Sequence, residues 1–175
     1  ILGRIHEAGR FEGDLLGIPA IECYNRYGLN VDTSLAENAG LDPTKLPETL
    51  DEVYEWHEAI TEFDDAGNLL LMGMDPYGEM SGQLQSLVTW WPAVSMGVDF
   101  YNNDTGEYYF DDPKIAEYVT WATSLYDIMG PDNVAGFRDS YGHWGPAINA
   151  QKVAMTINGY WQTGQVSQQN PEIAE

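Results

Sequence analysis

The distribution of apolar residues along the chain separates helices from strands. Leu50, Val53, Trp56, Ile60 and Phe63 recur at three- and four-residue steps, which puts them on one helical face. Thr49 and Glu52 flank the start of this stretch as a capping box, and Asp64, Asp65 and Gly67 are expected to end it. Ile115, Val119, Ala122, Leu125 and Met129 form a second apolar face. It follows Asp112 as N-cap and Pro113 at the first helical position, and Gly130-Pro131 stops it. A third helix is expected after Ser81, with Leu84, Leu87, Val88 and Trp91 on one side, and a short one over 33–39 ended by Gly40.

Uninterrupted apolar runs mark buried strands. Leu69 to Met74 is one and Val153 to Ile157 is the other, the latter led in by a short helix through Ala147 and Ile148. Residues 11–21 read as a turn at Gly13-Asp14 followed by a strand. Phe100 to Phe110 reads as a hairpin turning through Asn103-Asp104-Thr105-Gly106, and Asn133 to Pro146 reads as a loop. Helices and strands alternate, so the expected class is α/β, a sheet flanked by helices.

Composition narrows the function. The 175 residues are 43% apolar, enough for one domain with a packed core. No apolar run approaches the length of a membrane-spanning helix. Seven basic residues against 28 acidic ones give a formal charge of −21, which excludes phosphate-backbone binding and so nucleic acid as a partner. The acids are spread along the whole chain and are read first as a solvated or salt-adapted surface. The single cysteine, Cys23, can form neither an intrachain disulfide nor a cysteine metal site. The chain begins at Ile1 without a leader pattern and has the look of a piece of a longer protein.

A search for reactive chemistry finds little. The histidines are His6, His57 and His143. Neither His6-Glu7 nor His57-Glu58 has the second histidine of a helical zinc motif, and His57 is expected at the surface. There is no phosphate loop, no nucleophile elbow, and no motif calling for a cofactor or metal. The acid pairs Asp64-Asp65 and Asp111-Asp112 fall at helix ends, so they carry no sign of a catalytic dyad.

Aromatic residues beside loops are the informative feature. Tyr77 follows Asp75-Pro76 after one buried strand, and Tyr160-Trp161 follow Gly159 after the other. Trp90 and Trp91 precede Pro92, and Trp144 sits among glycines. Trp91 continues the helical stripe and is assigned to the core, which leaves Trp90 for a site; Trp56 and Trp121 lie within helices. In open α/β sheets ligands bind beyond the carboxyl ends of the strands. Flat aromatic faces there suit sugar rings, with Asp75, Asn158 and Gln162 as hydrogen-bonding partners.

The order of these signals resembles that of family 1 extracellular solute-binding proteins, the substrate-binding components of ABC importers. Phe11-Glu12-Gly13-Asp14-Leu15-Leu16-Gly17-Ile18-Pro19 resembles the strand approaching the hinge. Ala36-Glu37-Asn38-Ala39-Gly40-Leu41-Asp42-Pro43 with Leu46-Pro47-Glu48-Thr49-Leu50-Asp51-Glu52 resembles the family's "EAGLDP…PKTWDE" region. The Phe110 to Pro113 turn and its helix resemble the segment after the family's hairpin. Val153 to Trp161 resembles the strand and Gly-x-Trp loop of maltodextrin-type binders.

The resemblance implies one lobe of a two-lobe, type II periplasmic-binding-protein-like fold, with residues 1–22 the end of the first lobe and the hinge strand, and 23–175 the second lobe. It implies that Trp161 stacks on a sugar ring, that the Asp75-Pro76-Tyr77 loop faces the cleft, and that Glu22 near the hinge contacts ligand. Tyr160 stands where the family commonly has proline. The implied protein is a non-enzymatic monomer, extracellular or periplasmic, with a lipid anchor on the outer face of the cytoplasmic membrane as a further option. It would capture a sugar by closure and present it to the ABC permease. Two other readings remain open: a polyamine or other cation held by the same fold through Asp75, Glu22 and the aromatics, or a fragment of a carbohydrate hydrolase. A third is an acidic interaction module with no small ligand.

Overall fold

The computed structural model describes residues 9–17, 27–76, 93–141, 146–159 and 161–173. At its centre is a four-stranded sheet in the order β3 (Tyr27–Val31), β6 (Val153–Gly159), β5 (Leu69–Asp75), β4 (Glu62–Phe63). β5 and β6 run parallel, with Met74 opposite Met155 and Asp75 opposite Thr156. β3 is antiparallel to β6 and places Tyr27 opposite Gly159. The two parallel strands therefore end at one edge of the sheet, where β3 begins. Seven-residue strands buried along nearly their whole length explain the unbroken apolar runs in the sequence: a strand covered on both faces has no polar side to alternate with.

The helices start where their caps dictate. In α1 (Thr33–Asn38) the Asp32 carboxylate accepts from the Ser34 and Leu35 N–H groups. Gly40 follows in the left-handed region at φ 80°. α2 (Leu50–Ile60) carries the capping box in full: Thr49 Oγ1 accepts from Glu52 N, and Glu52 Oε2 accepts from Thr49 N at 3.0 Å. α3 (Pro113–Met129) begins at the Asp112 cap and ends at Gly130, φ 82°. α4 (Pro131–Tyr141) and α5 (Pro146–Asn149) complete the crossover to β6, and α6 (Trp161–Gln169) follows it.

β5 and β6 serve two apolar clusters. The first joins Ala36 of α1, Val53, Trp56 and Ile60 of α2, and Leu125 of α3 to Leu71, Met74, Ala154 and Met155. The second joins Met129, Val134, Phe137, Ala147 and Ile148 to Leu69, Met72 and Val153. Each buried Val, Leu, Ile, Met or Phe of these clusters contributes ~1.5–3 kcal/mol, so packing against the sheet outweighs helix propensity as the reason these helices form.

Several sequence expectations are corrected. The segment 133–146, expected as a loop, begins inside α4; Val134 and Phe137 are buried against the sheet, and Gly136 between them had weakened the helical pattern. The inner face of α3 is Tyr118, Ala122, Leu125 and Met129, and Val119 is exposed. Phe63 is not on the α2 face: the helix stops at Ile60, and Phe63 lies exposed in β4. Asp64 then organises a β4–β5 turn by accepting from the Ala66 and Asn68 N–H groups. The first hairpin, β1 (Arg10–Phe11) with β2 (Asp14–Leu15), turns at Glu12-Gly13, both at positive φ, one residue earlier than expected. Phe100 to Phe110 turns as expected, but its pairing is a single Tyr101–Tyr108 bridge. The expected helix after Ser81 and strand over 18–21 lie outside the described residues.

Candidate functional site

Among the described residues, the polar candidates and the aromatic Trp161 stand around the ends of β5 and β6. Asp75 closes β5 and is buried, 1% exposed. Beside it on β6, the Thr156 hydroxyl donates to Gln162 Oε1 at 3.0 Å, tying α6 to the strand it follows. Asn158 is buried; its Oδ1 accepts from the Gly159 N–H at 2.7 Å. Asn30 on β3 braces the same end, its Nδ2 donating to the carbonyls of Gly28 and Asn158, each at 3.1 Å.

Trp161 opens α6 half-buried, and its indole lies on the Cα of Gly159. A Cβ at position 159 would clash with the ring, against its Cη2, Cζ2 and Cζ3 atoms, so only glycine lets the indole settle there. The Gly-x-Trp spacing thus has a local cause: glycine ends the strand and gives the indole its seat.

Of the sequence candidates, Asp75 and Trp161 come to this edge together with Asn158 and Gln162. Tyr160, Tyr77, Trp90, Trp144 and Glu22 lie outside the described residues. Three contributors were missed. Thr156 and Asn30 look like ordinary strand residues in sequence, and only the register places them here. Tyr118, fully buried on α3, directs its hydroxyl to the Pro76 carbonyl at 3.5 Å, just beyond Asp75. Its signal was available, because 118, 122, 125 and 129 form a helical stripe as regular as the one chosen.

His57 is not at the surface. It is fully buried, with Nε2 3.1 Å from the Leu125 carbonyl and Nδ1 accepting from the Met74 N–H at 2.9 Å. Burial pushes its pKa down to about 4, with the Leu125 carbonyl opposing the shift, so the ring is neutral at pH 7. Three carboxyls are held below the usual range by hydrogen bonds at turns and caps. They are Asp42 (at about 2, chiefly through Thr44), Glu52 and Asp64. None sits at the strand-end edge, and among the described residues no cluster of three His, Cys, Asp or Glu is placed to hold a metal.

A concavity of about 420 Å³ lies between β6, α1 and α6 and shares Thr156 and Gln162 with the strand-end edge. At its far end Gln151 Nε2 bonds Asp32 and Ser34. None of its lining residues is aromatic, so it offers no flat face to a sugar ring. Trp161, at the strand-end edge, is not part of its lining.

Comparison with known proteins bears on the family and the fold. The profile of the bacterial extracellular solute-binding protein family matches residues 11–174. The fold is similar to that of CpMnBP1 with mannobiose bound, at 22% identity and a TM-score of 0.73, over 97% of this chain and 41% of that one. It is also similar to the cyclic α-maltosyl-1,6-maltose binding protein of Arthrobacter globiformis, at 23% identity and a TM-score of 0.62, over 92% and 38%. A third is the ABC transporter solute-binding protein of Thermotoga lettingae TMO bound with α-D-tagatose, at 22% identity and a TM-score of 0.57, over 85% and 36%. The chain thus spans about two fifths of the length of these structures. No curated protein sequence matches significantly.

Proposed function

This chain belongs to the bacterial extracellular solute-binding protein family, and on that premise we propose that it is the sugar-capturing lobe of the binding component of an ABC importer. The observation that carries the reading is the Trp161 indole seated on Gly159 at the end of β6, the strand that runs parallel to β5 and sets Thr156 opposite buried Asp75. An aromatic face there can stack on the C–H face of a pyranose while neighbouring polar groups take its hydroxyls. The matched structures, two with oligosaccharide-type ligands in their names, support a sugar as the solute class.

In this reading residues 1–22 belong to the end of a first lobe and the hinge, and 23–175 to the second lobe. Tyr77, Tyr160, Trp90, Trp144 and Glu22 would complete the sugar surface from the loops around the edge. Closure of the facing lobe would bury the ligand, and the closed form would be read by the permease subunits outside the cytoplasmic membrane, with the protein periplasmic or lipid-anchored. No bond is made or broken, and no cofactor takes part.

The test is tryptophan fluorescence during titration with mannobiose, maltose and monosaccharides, for the wild type and Trp161→Ala. A saturable response that Trp161→Ala abolishes is expected. A response to spermidine that disappears in salt, with none to sugars, would move the assignment to a cationic solute. Turnover of a chromogenic glycoside would refute a purely binding role.

A further inference from the structure

His57 has no part in the proposed sugar contacts, yet its ring is bonded to both sides. The Leu125 carbonyl can only accept, so Nε2 carries the proton and Nδ1 offers a lone pair. That lone pair receives the Met74 N–H at 2.9 Å. The location explains the need. β4 pairs with β5 only at Glu62–Leu71 and Phe63–Leu69. Beyond it, side chains from the end of α2 take over: Thr61 Oγ1 accepts from Gly73 N at 3.2 Å, and His57 from Met74 N. Gly73 makes the approach possible, because a Cβ there would lie 2.5 Å from the His57 carbonyl oxygen.

Asp75 is the next residue, followed by Pro76, whose carbonyl is held by the Tyr118 hydroxyl. Asp75 is thus bracketed by two buried side chains from two different helices. We propose that His57 is a positioning residue for the candidate cleft, its neutral imidazole fixing Asp75 and the start of the loop after β5 through the Met74 N–H. The proposal rests on the reading of this strand edge as the ligand cleft.

The chemistry of the contact sets its pH range. A proton on Nδ1 would face the Met74 N–H, donor against donor, and the bond would be lost. Among the described residues, the groups bonded to the ring are neutral: the Thr61 hydroxyl that follows α2, the Met74 N–H from β5 and the Leu125 carbonyl from α3. The nearest acids along those elements are Glu58 and Asp127, both exposed, and Asp75, which is buried. With its pKa near 4, the ring stays neutral at and above pH 6, and the bracket releases only in acid.

Two substitutions separate the two bonds of the ring. His57→Asn keeps an acceptor near the Nδ1 position and does not titrate. His57→Gln keeps a donor near Nε2 and loses that acceptor. The readout is amide hydrogen exchange by NMR at Met74 and Asp75, with Leu29 and Ile157 of the β3–β6 pair reporting the intact fold. Wild type should protect Met74 at pH 7 and lose at least tenfold of that protection between pH 6 and pH 4. His57→Asn should keep it at both pH values, and His57→Gln should lose it at pH 7 with Leu29 and Ile157 unchanged. Full protection of Met74 in His57→Gln, or the same acid loss in His57→Asn as in wild type, overturns the proposal. If His57→Gln does not fold, the pH profile of His57→Asn against wild type decides it. Mannobiose titration of the same samples keeps the two readings apart: an intact bracket with no sugar response in wild type counts against the cleft and leaves the positioning of Asp75 standing.

Discussion

Replacing Gly159 by alanine puts a methyl group where the Trp161 indole now lies. The methyl carbon would meet three ring carbons well inside any real contact distance, so the ring must swing off or the strand end must part from α6. Forcing extra volume into a packed contact costs ~1–3 kcal/mol. Rotation of the ring avoids part of that cost but gives up the covered face. At ~25 cal/mol per Å², exposing ~50 Å² loses ~1 kcal/mol. Gly159→Ala should therefore destabilise the fold by ~1–3 kcal/mol in urea. If the indole is the sugar platform, losing an aromatic stacking contact of ~0.5–1.5 kcal/mol weakens sugar binding about two- to tenfold. The assay is ¹⁹F NMR of protein labelled with 5-fluorotryptophan. The six tryptophans give six signals, and Trp161→Phe assigns one of them. Gly159→Ala should move the Trp161 signal and leave those of Trp56 and Trp121 in place. Gly28→Ala is the control, because it lies opposite Asn158 on β3 and its Cβ would meet nothing within 4 Å. An unshifted Trp161 signal together with a stability change under ~0.5 kcal/mol would refute the account of this seat.

Gly73→Ala drives a Cβ into the backbone of His57, which cannot swing aside, so α2 must lift from β5. A loss of ~2–4 kcal/mol in urea unfolding is expected, and a change below ~1 kcal/mol would show that the helix–strand approach is looser than described. Thr49→Ala removes the acceptor of the Glu52 N–H and should cost ~1 kcal/mol, with faster exchange of that amide as the local sign. His57 has its pKa near 4 folded and near 6.5 unfolded, so between those values the unfolded chain takes up the proton first and the wild type loses ~3 kcal/mol as pH falls from 6.5 to 4. Paired urea titrations against His57→Asn isolate this term from the other acids: the stability gap should be constant above pH 7 and shift by ~3 kcal/mol against wild type by pH 4, and a pH-independent gap would refute a neutral buried ring.

What the sequence made legible follows from how local each cause is. Caps are local, so Thr49 with Glu52, Asp112 with Pro113, Gly40 and Gly130 place their helix ends correctly. The buried parallel strands announce themselves because both faces are covered. His57 was misplaced because a lone histidine beside Glu58 looks solvated; only the approach of Gly73 from 16 residues away, and of Leu125 from α3, makes it a buried acceptor. α4 and α6 were missed because Gly136 and Gly164 and their polar neighbours dilute the helical period, and their apolar positions become meaningful only against β5, β6 and α5.

The strand-end site has the same mixture of local and distant causes. Trp161 could be singled out because glycine, strand end and indole are sequence neighbours. The polar side chains around it could not be ranked, because their partners come from other elements: Gln162 from Thr156, Asn158 braced by Asn30, the end of β5 by His57 and Tyr118. That division matters for binding. A polar group ordered on folding owes no further ordering entropy when ligand arrives, whereas a free surface side chain would lose ~0.5–1.5 kcal/mol on being fixed. Asp75, Thr156, Asn158 and Gln162 are all buried within the chain itself, so the cost of holding this edge in shape is met by the fold. If this edge is the sugar cleft, substitutions at the braces, such as Asn30 or Tyr118, should then weaken mannobiose binding through loss of order at the edge, even though neither side chain would need to touch the ligand.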